Sequence, residues 1–129
     1  DFASFVIEPT AEIVRRVKTT CPGIPIIGFP RGSSANFERY ADRTGVDALG
    51  CDTAAPLDLM AAMQARLPVQ GNLDPLLLLA GGDAMERRVK AILSQLSSKP
   101  FVFNLGHGIL PETPIENVER LIHLVRTAG

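Results

Sequence analysis

The sequence predicts an α/β domain, a leading helix followed by four strand–helix units whose strands run parallel. Three observations carry this. Short apolar runs of strand type recur at 24–29, 46–51, 67–73 and 101–103. Each is followed by a stretch whose apolar residues return at helical spacing. Proline and glycine mark the joints, and no linker, low-complexity run or repeat divides the 129 residues. Two architectures fit the alternation: a complete small doubly wound sheet, or half of an eight-fold barrel, which takes about 250 residues in full.

Phe5 to Thr20 reads as the leading helix. Ile13, Val14, Val17 and Cys21 recur at helical spacing, with Glu12, Arg15, Arg16 and Lys18 on the other face. Pro22-Gly23 ends it. Ile24-Pro25-Ile26-Ile27-Gly28-Phe29 then suits a strand buried on both faces. Pro25 is tolerable near its start, where an N–H can be spared.

The turn Pro30-Arg31-Gly32-Ser33-Ser34 leads to a helix with Phe37, Tyr40 and Ala41 on one face, and Gly45 is its natural stop. The second strand is Val46 to Cys51, ending at Asp52-Thr53. Pro56 opens a helix bearing Leu57, Met60, Ala61 and Gln64. Leu67 to Leu73 is the third strand and the weakest by composition, since Pro68, Gly71 and Asn72 interrupt it.

Asp74-Pro75 is a cap and first residue for the short turn Leu76 to Leu79, which Gly81-Gly82 breaks. Asp83 and Glu86 have capping-box spacing ahead of the stripe Met85, Val89, Ile92, Leu93 and Leu96. Phe101-Val102-Phe103 is the last strand, followed by the polar turn Gly106-His107-Gly108. Thr113 and Glu116 then form a second capping box around Pro114, and Ile115, Val118, Ile122 and Val125 face inward from the final helix.

Composition narrows the function classes. Apolar residues make up 46% and charged residues 21%, as in ordinary globular domains. A net charge of −1 gives no pull toward nucleic acid or an anionic membrane. No run approaches the ~18 apolar residues of a membrane span, and no signal-peptide pattern opens the chain. Cys21 and Cys51 match no zinc or redox spacing and read as reduced packing residues of a cytoplasmic protein. The opening Asp1-Phe2-Ala3-Ser4-Phe5 has no initiator Met and starts close to a helix, which predicts a true N-terminus further upstream.

Parallel α/β proteins gather their chemistry at the carboxyl ends of strands. Here those ends offer Arg31, Asp52, Gln70 with Asn72, and Asn104 with His107, a set suited to polar or carboxylated ligands. His107 stands between two glycines. It either moves protons near neutrality or donates to a backbone carbonyl in its turn. Arg31, ahead of a helix, either holds a carboxylate or phosphate or is a solvated loop residue. Asp52 reads more readily as a helix cap before Pro56 than as a site carboxylate. Gln70-Gly71-Asn72 either hydrogen-bonds a ligand or shapes a rim turn. His123 reads as a surface helix residue, and Met60 and Met63 as core filling. There is no dinucleotide fingerprint, phosphate loop or metal-ligand spacing.

The particular words of the chain are more specific. Phe101-Val102-Phe103-Asn104-Leu105-Gly106-His107-Gly108-Ile109, then Pro111 and Thr113-Pro114-Ile115-Glu116-Asn117-Val118, resembles the C-terminal signature of the uroporphyrinogen decarboxylase family. Val69-Gln70-Gly71-Asn72-Leu73-Asp74-Pro75 resembles that family's Gln-Gly-Asn-hydrophobic-Asp-Pro segment, and Val46 to Asp52 the strand before it. The resemblance implies the C-terminal half of a (β/α)8 TIM barrel across residues 1–129. It also implies a cytoplasmic homodimer that removes CO2 from the four acetate arms of uroporphyrinogen III, in porphyrin and heme biosynthesis, with no metal or organic cofactor.

By that resemblance His107 matches the active-site histidine, as a catalytic and substrate-contacting residue. Asn104, Gly106, Asn72 and, by position only, Arg31 join it in substrate binding. The family's N-terminal arginines, its pyrrole-gathering Asp and its substrate-contacting Tyr and Ser have no counterpart here, so the 129 residues alone are expected to be inactive. Two other readings stand beside this one. Cobalamin-dependent methyltransferases of the same fold hold zinc with a His-x-Cys pair, where this chain has Gly28-Phe29-Pro30-Arg31. A non-catalytic binding or assembly module would use the open edges of a four-stranded sheet.

Overall fold

The computed structural model describes residues 1–127. A π-helical turn, Ala3–Ile7, runs into α1 (Glu8–Thr20). Pro9 has no N–H to give the carbonyl one α-turn back, and the turn before it widens by a residue. The buried line on this helix is Ala3, Ile7 and Val14. Ile13 and Val17, expected to face inward with Val14, lie on the neighbouring line and are exposed, as is Cys21 at the helix end. Only Cys51 of the two cysteines is a packing residue.

The strands are β1 (Ile27–Gly28), β2 (Ala48–Gly50), β3 (Val69–Leu73) and β4 (Phe101–Leu105). They form one parallel sheet in the order β1-β2-β3-β4. The relative strengths differ from the sequence reading. β3 is among the longest strands, because pairing on both sides holds it whatever its intrinsic preference. β1 is cut to two residues, because Pro25 removes a donor and Ile26 turns its N–H to the Asp47 carboxylate (2.8 Å).

Register sorts the sheet into two unlike faces. One carries Gly28, Leu49, Val69 and Leu73, all buried, in one core with Phe37, Tyr40, Met60, Met63, Leu78, Met85, Val89, Ile92 and Leu96 of the helices. The other carries Ile27, Phe29, Gln70, Val102 and Asn104, and Ile27, Phe29 and Val102 are 45–47% exposed. The expected double burial of the first strand therefore fails: its residues alternate between a covered face and a bare one. Successive crossovers of one hand, stepping always in one direction, set their helices on the same side. A doubly wound sheet needs a reversal of strand order, which this order lacks.

The helices are α2 (Phe37–Thr44), entered through a 3-10 turn Ser34–Asn36, then α3 (Leu57–Met63), α4 (Pro75–Ala80), α5 (Gly82–Leu96) and α6 (Ile115–Thr127). Gly45 ends α2 with φ +74°, and Asp74 caps α4 by accepting the Leu76 N–H (2.8 Å), both as the sequence indicates. Neither capping box forms. α5 begins at Gly82, so Asp83 lies inside its first turn, and Glu86 pairs with Arg120 of α6 (2.7 Å). The Thr113 hydroxyl is buried without a hydrogen-bond partner. Along α6 the inward line runs through Leu121, with Val118, Leu124 and Val125 half-buried, while Ile115 and Ile122 are exposed. Among the described residues no helix is long and apolar enough to cross a membrane.

Candidate active site

At the end of β1, Phe29 and Pro30 lead into a tight turn. The Arg31 N–H donates to the Phe29 carbonyl (3.0 Å), and Gly32 takes φ +72°, a conformation glycine adopts without a Cβ penalty. The Arg31 side chain is exposed at the tip of the turn. Among the described residues it meets no carboxylate at ion-pair distance.

Asp52 lies one residue beyond Cys51 and is 5% exposed. It is not the cap of α3, whose N-cap is Pro56. One carboxylate oxygen accepts the N–H of Gly32 from the neighbouring loop, and the other accepts the N–H of Ala54 (3.0 Å). Desolvation, with the Asp52 charge next to it, pushes the Cys51 thiol up to about 12, so it stays protonated and inert.

β3 and β4 complete the rim. Gly71 takes φ +138°, and a Cβ there would stand 2.5 Å from the Cys51 carbonyl oxygen, so the strands approach too closely for any other residue. Asn72, expected to touch ligand, is fully buried. Its amide donates to the carbonyls of Asp52 (2.9 Å) and Ala55 (2.8 Å). It shapes the β2–α3 loop and does not reach the cleft. Gly106, likewise expected in substrate binding, is buried with its N–H on the Leu73 carbonyl (2.8 Å), and a Cβ there would run into the backbone and hydroxyl of Thr53. Its role is close packing of two loops.

His107 is half-buried between two clefts. One, about 290 Å³, is lined by Arg31, Gly32, Asp52, Thr53 and Ala54 together with His107. The other, about 390 Å³, opens onto the bare face and is lined by Ile27, Phe29, Gln70, Asn104 and Leu105 with His107 and Gly108. Asn104 is exposed, its side-chain oxygen accepting the Leu105 N–H (2.8 Å). The structure thus brings Arg31, His107, Gln70 and Asn104 to one rim, while Asn72 and Gly106 line neither cleft. His123 is exposed on α6, away from these clefts, as its sequence setting indicates. The bridging role of Asp52 was missed because its partner lies twenty positions away and carries no side chain.

A guanidinium and an imidazole at the carboxyl ends of parallel strands can hold an anionic group such as a carboxylate. The class is therefore a singly wound parallel α/β protein, with its candidate site at the strand ends. The chain belongs to the uroporphyrinogen decarboxylase (URO-D) family, whose model matches residues 1–128.

Relatives named uroporphyrinogen decarboxylase bear this out. That of Chelativorans sp. is 54% identical over 125 residues, 97% of this chain and 36% of the relative. That of Sphingopyxis alaskensis is 52% identical over 126 residues, 97% of this chain and 37% of the relative. The Rhodospirillum rubrum protein is 50% identical over 127 residues, 98% and 36% of the two chains. The chain spans a little over a third of the length of these relatives.

Proposed function

We propose that these residues are the C-terminal half of a (β/α)8 barrel and form one wall of a uroporphyrinogen decarboxylase site. The observation that carries the reading is the position of His107, at the carboxyl end of β4 between the Arg31 cleft and the bare apolar face. A tetrapyrrole has an apolar body and a rim of carboxylates. Ile27, Phe29 and Val102 suit the body, and Arg31 and His107 suit the rim.

In the reaction, the electron pair of the bond to the departing CO2 moves into a protonated pyrrole. The remaining CH2 carbon then takes a proton and becomes a methyl, and the ring gives up the proton it first took, so each arm exchanges CO2 for one proton net. On this wall, Arg31 would orient a carboxylate arm, and His107 would hydrogen-bond substrate and carry a proton. Gln70 and Asn104 would supply neutral hydrogen bonds at the same lip. The charge-gathering groups opposite would come from the other half of the barrel, and the working form would be a cytoplasmic homodimer.

Two features favour a barrel half over a freestanding module. Parallel sheets are covered on both faces in stable proteins, and this one is bare on one. A further cavity of about 260 Å³ between β4 and α6, lined mostly by apolar residues (Phe103, Leu105, Leu121, Ile122 and Val125) with Asn104 and Arg126, lies open beside the edge strand, where another βα unit would pack. The zinc-dependent methyltransferase reading is weaker, since neither cysteine stands at a strand end facing the clefts.

The test is decarboxylation of uroporphyrinogen III, followed as porphyrins after oxidation. The purified 129 residues should show no turnover above background, and co-expression with the N-terminal part of a relative should restore it. In the restored enzyme His107→Ala should lower kcat/KM by roughly 10²-fold. Turnover by the 129 residues alone would overturn the reading.

A further inference from the structure

We infer that Asp52 is a positioning residue, which holds the Arg31 turn in register with His107 and acts on substrate only through Arg31. The inference rests on the decarboxylase reading and deepens it. A carboxylate 5% exposed is costly to bury unless its oxygens are engaged. Those of Asp52 are engaged by backbone N–H groups of two different strand-end loops, Gly32 after β1 and Ala54 after β2. Among the described residues no cation lies at ion-pair distance from it. It is therefore a clamp between loops and not half of a salt bridge.

The second loop is fixed in turn. Asn72 holds its carbonyls at Asp52 and Ala55, and Gly106, the residue before His107, is packed against Thr53. Among the described residues the Arg31–Gly32 turn has no comparable anchor of its own. Its N–H bond from Arg31 reaches back only to Phe29, and nothing lies within 4 Å of where a Gly32 Cβ would be. Asp52 is the link that refers this turn to the β2–α3 loop, against which the residue before His107 is packed. Arg31, Gly32, Asp52, Thr53, Ala54 and His107 line the same cleft.

An asparagine at 52 keeps the shape but turns one oxygen into an NH2 group, which cannot accept a backbone N–H. The experiment is steady-state kinetics on the full-length enzyme carrying these residues. Asp52→Asn should raise KM for uroporphyrinogen about tenfold with kcat within about twofold, the pattern of lost ground-state binding. Exchange of backbone amides in a peptide covering 29–34 should quicken while the rest stays protected. In an Arg31→Met background, Asp52→Asn should change KM by less than about twofold, since the two act as one unit.

Gly32→Ala strains the same turn from its other side without entering the core, and should raise KM in the same direction, which covers the case in which Asp52→Asn does not fold. Unchanged KM in either folded variant, multiplicative effects in the double variant, or a lower KM from relieved charge repulsion would each overturn the inference. Failure of the unsubstituted full-length enzyme to decarboxylate uroporphyrinogen would instead sink the underlying reading.

Discussion

Single residues at the rim differ sharply in what they tolerate, and the reasons are steric more than chemical. Gly71→Ala forces a Cβ against the Cys51 carbonyl oxygen, a backbone atom held in the sheet, at a φ that L side chains avoid. Such overpacking should destabilise the fold by about 3 kcal/mol, measured by denaturant titration against the parent. Gly32→Ala meets no atom and should lower stability by only about 1 kcal/mol for its left-handed φ. The two cysteines separate just as clearly. Cys51 is buried and held as a thiol by burial and the Asp52 charge, whereas Cys21 is exposed. Brief alkylation of the folded chain should label Cys21 and leave Cys51 unmodified by mass spectrometry, with both labelled after denaturation. The strand-end positions of Arg31 and His107 were legible in the sequence, because a polar residue after an apolar run marks the end of a strand. Asn72 is buried although the register pairs it with exposed Asn104, and Gly106 is packed against Thr53; both contacts are made with the distant β2–α3 loop, which the local sequence does not reveal.

Elements are joined here by a few polar side chains that reach backbone groups of a neighbouring unit. Asn117 on α6 donates to the Leu78 (2.9 Å) and Leu79 (3.1 Å) carbonyls near the end of α4, filling the space beside Gly81. Asn117→Ala leaves both carbonyls short of a donor and should cost about 1–3 kcal/mol in a thermal or denaturant melt. At the other end of the sheet, Asp47 accepts from Lys18 of α1 (2.7 Å) and from the Ile26 N–H (2.8 Å), which holds its carboxyl below the usual aspartate range, the lysine contributing most. The sign follows from linkage. A carboxyl held lower in the folded state adds stability that is complete above the unfolded value of about 3.9 and is lost as pH falls through the lower folded value. Acid melts of the parent and Lys18→Met should therefore converge below that window and separate above it, by a small margin that shrinks with added salt. Helix existence was readable from period and punctuation. The capping boxes at Asp83 and Thr113 were not, because helix starts moved by a residue or two when the preceding glycines and prolines settled their own turns. The short β1 has the same origin: Pro25 and the Asp47 carboxylate compete with the sheet for its backbone.

The molecule as a whole has one covered sheet face and one bare face, and that asymmetry permits an experiment whose sign depends on what covers the bare side. Ile27, Phe29 and Val102 put three large apolar side chains on the open surface, flanked by the uncovered edge of β4. Exposed apolar area of this kind favours association. In these 129 residues alone, Val102→Lys replaces a half-exposed valine by a solvated charge. It should leave the fold unharmed and raise the concentration at which the chain stays monomeric, read by light scattering. In a closed barrel the same position points into a packed interior. There the substitution buries an ammonium with no partner, which should destabilise by several kcal/mol or drive the site apart. A control at the helix-covered face, Val69→Lys, should be severe in both contexts, since Val69 is buried in either. Opposite signs for Val102→Lys in the short chain and in a full-length relative, with the same sign for Val69→Lys, are expected if the bare face is a barrel interior. Harmless Val102→Lys in both would mean that this face stays open in the complete protein, and the macrocycle would then have no enclosed floor on which to lie.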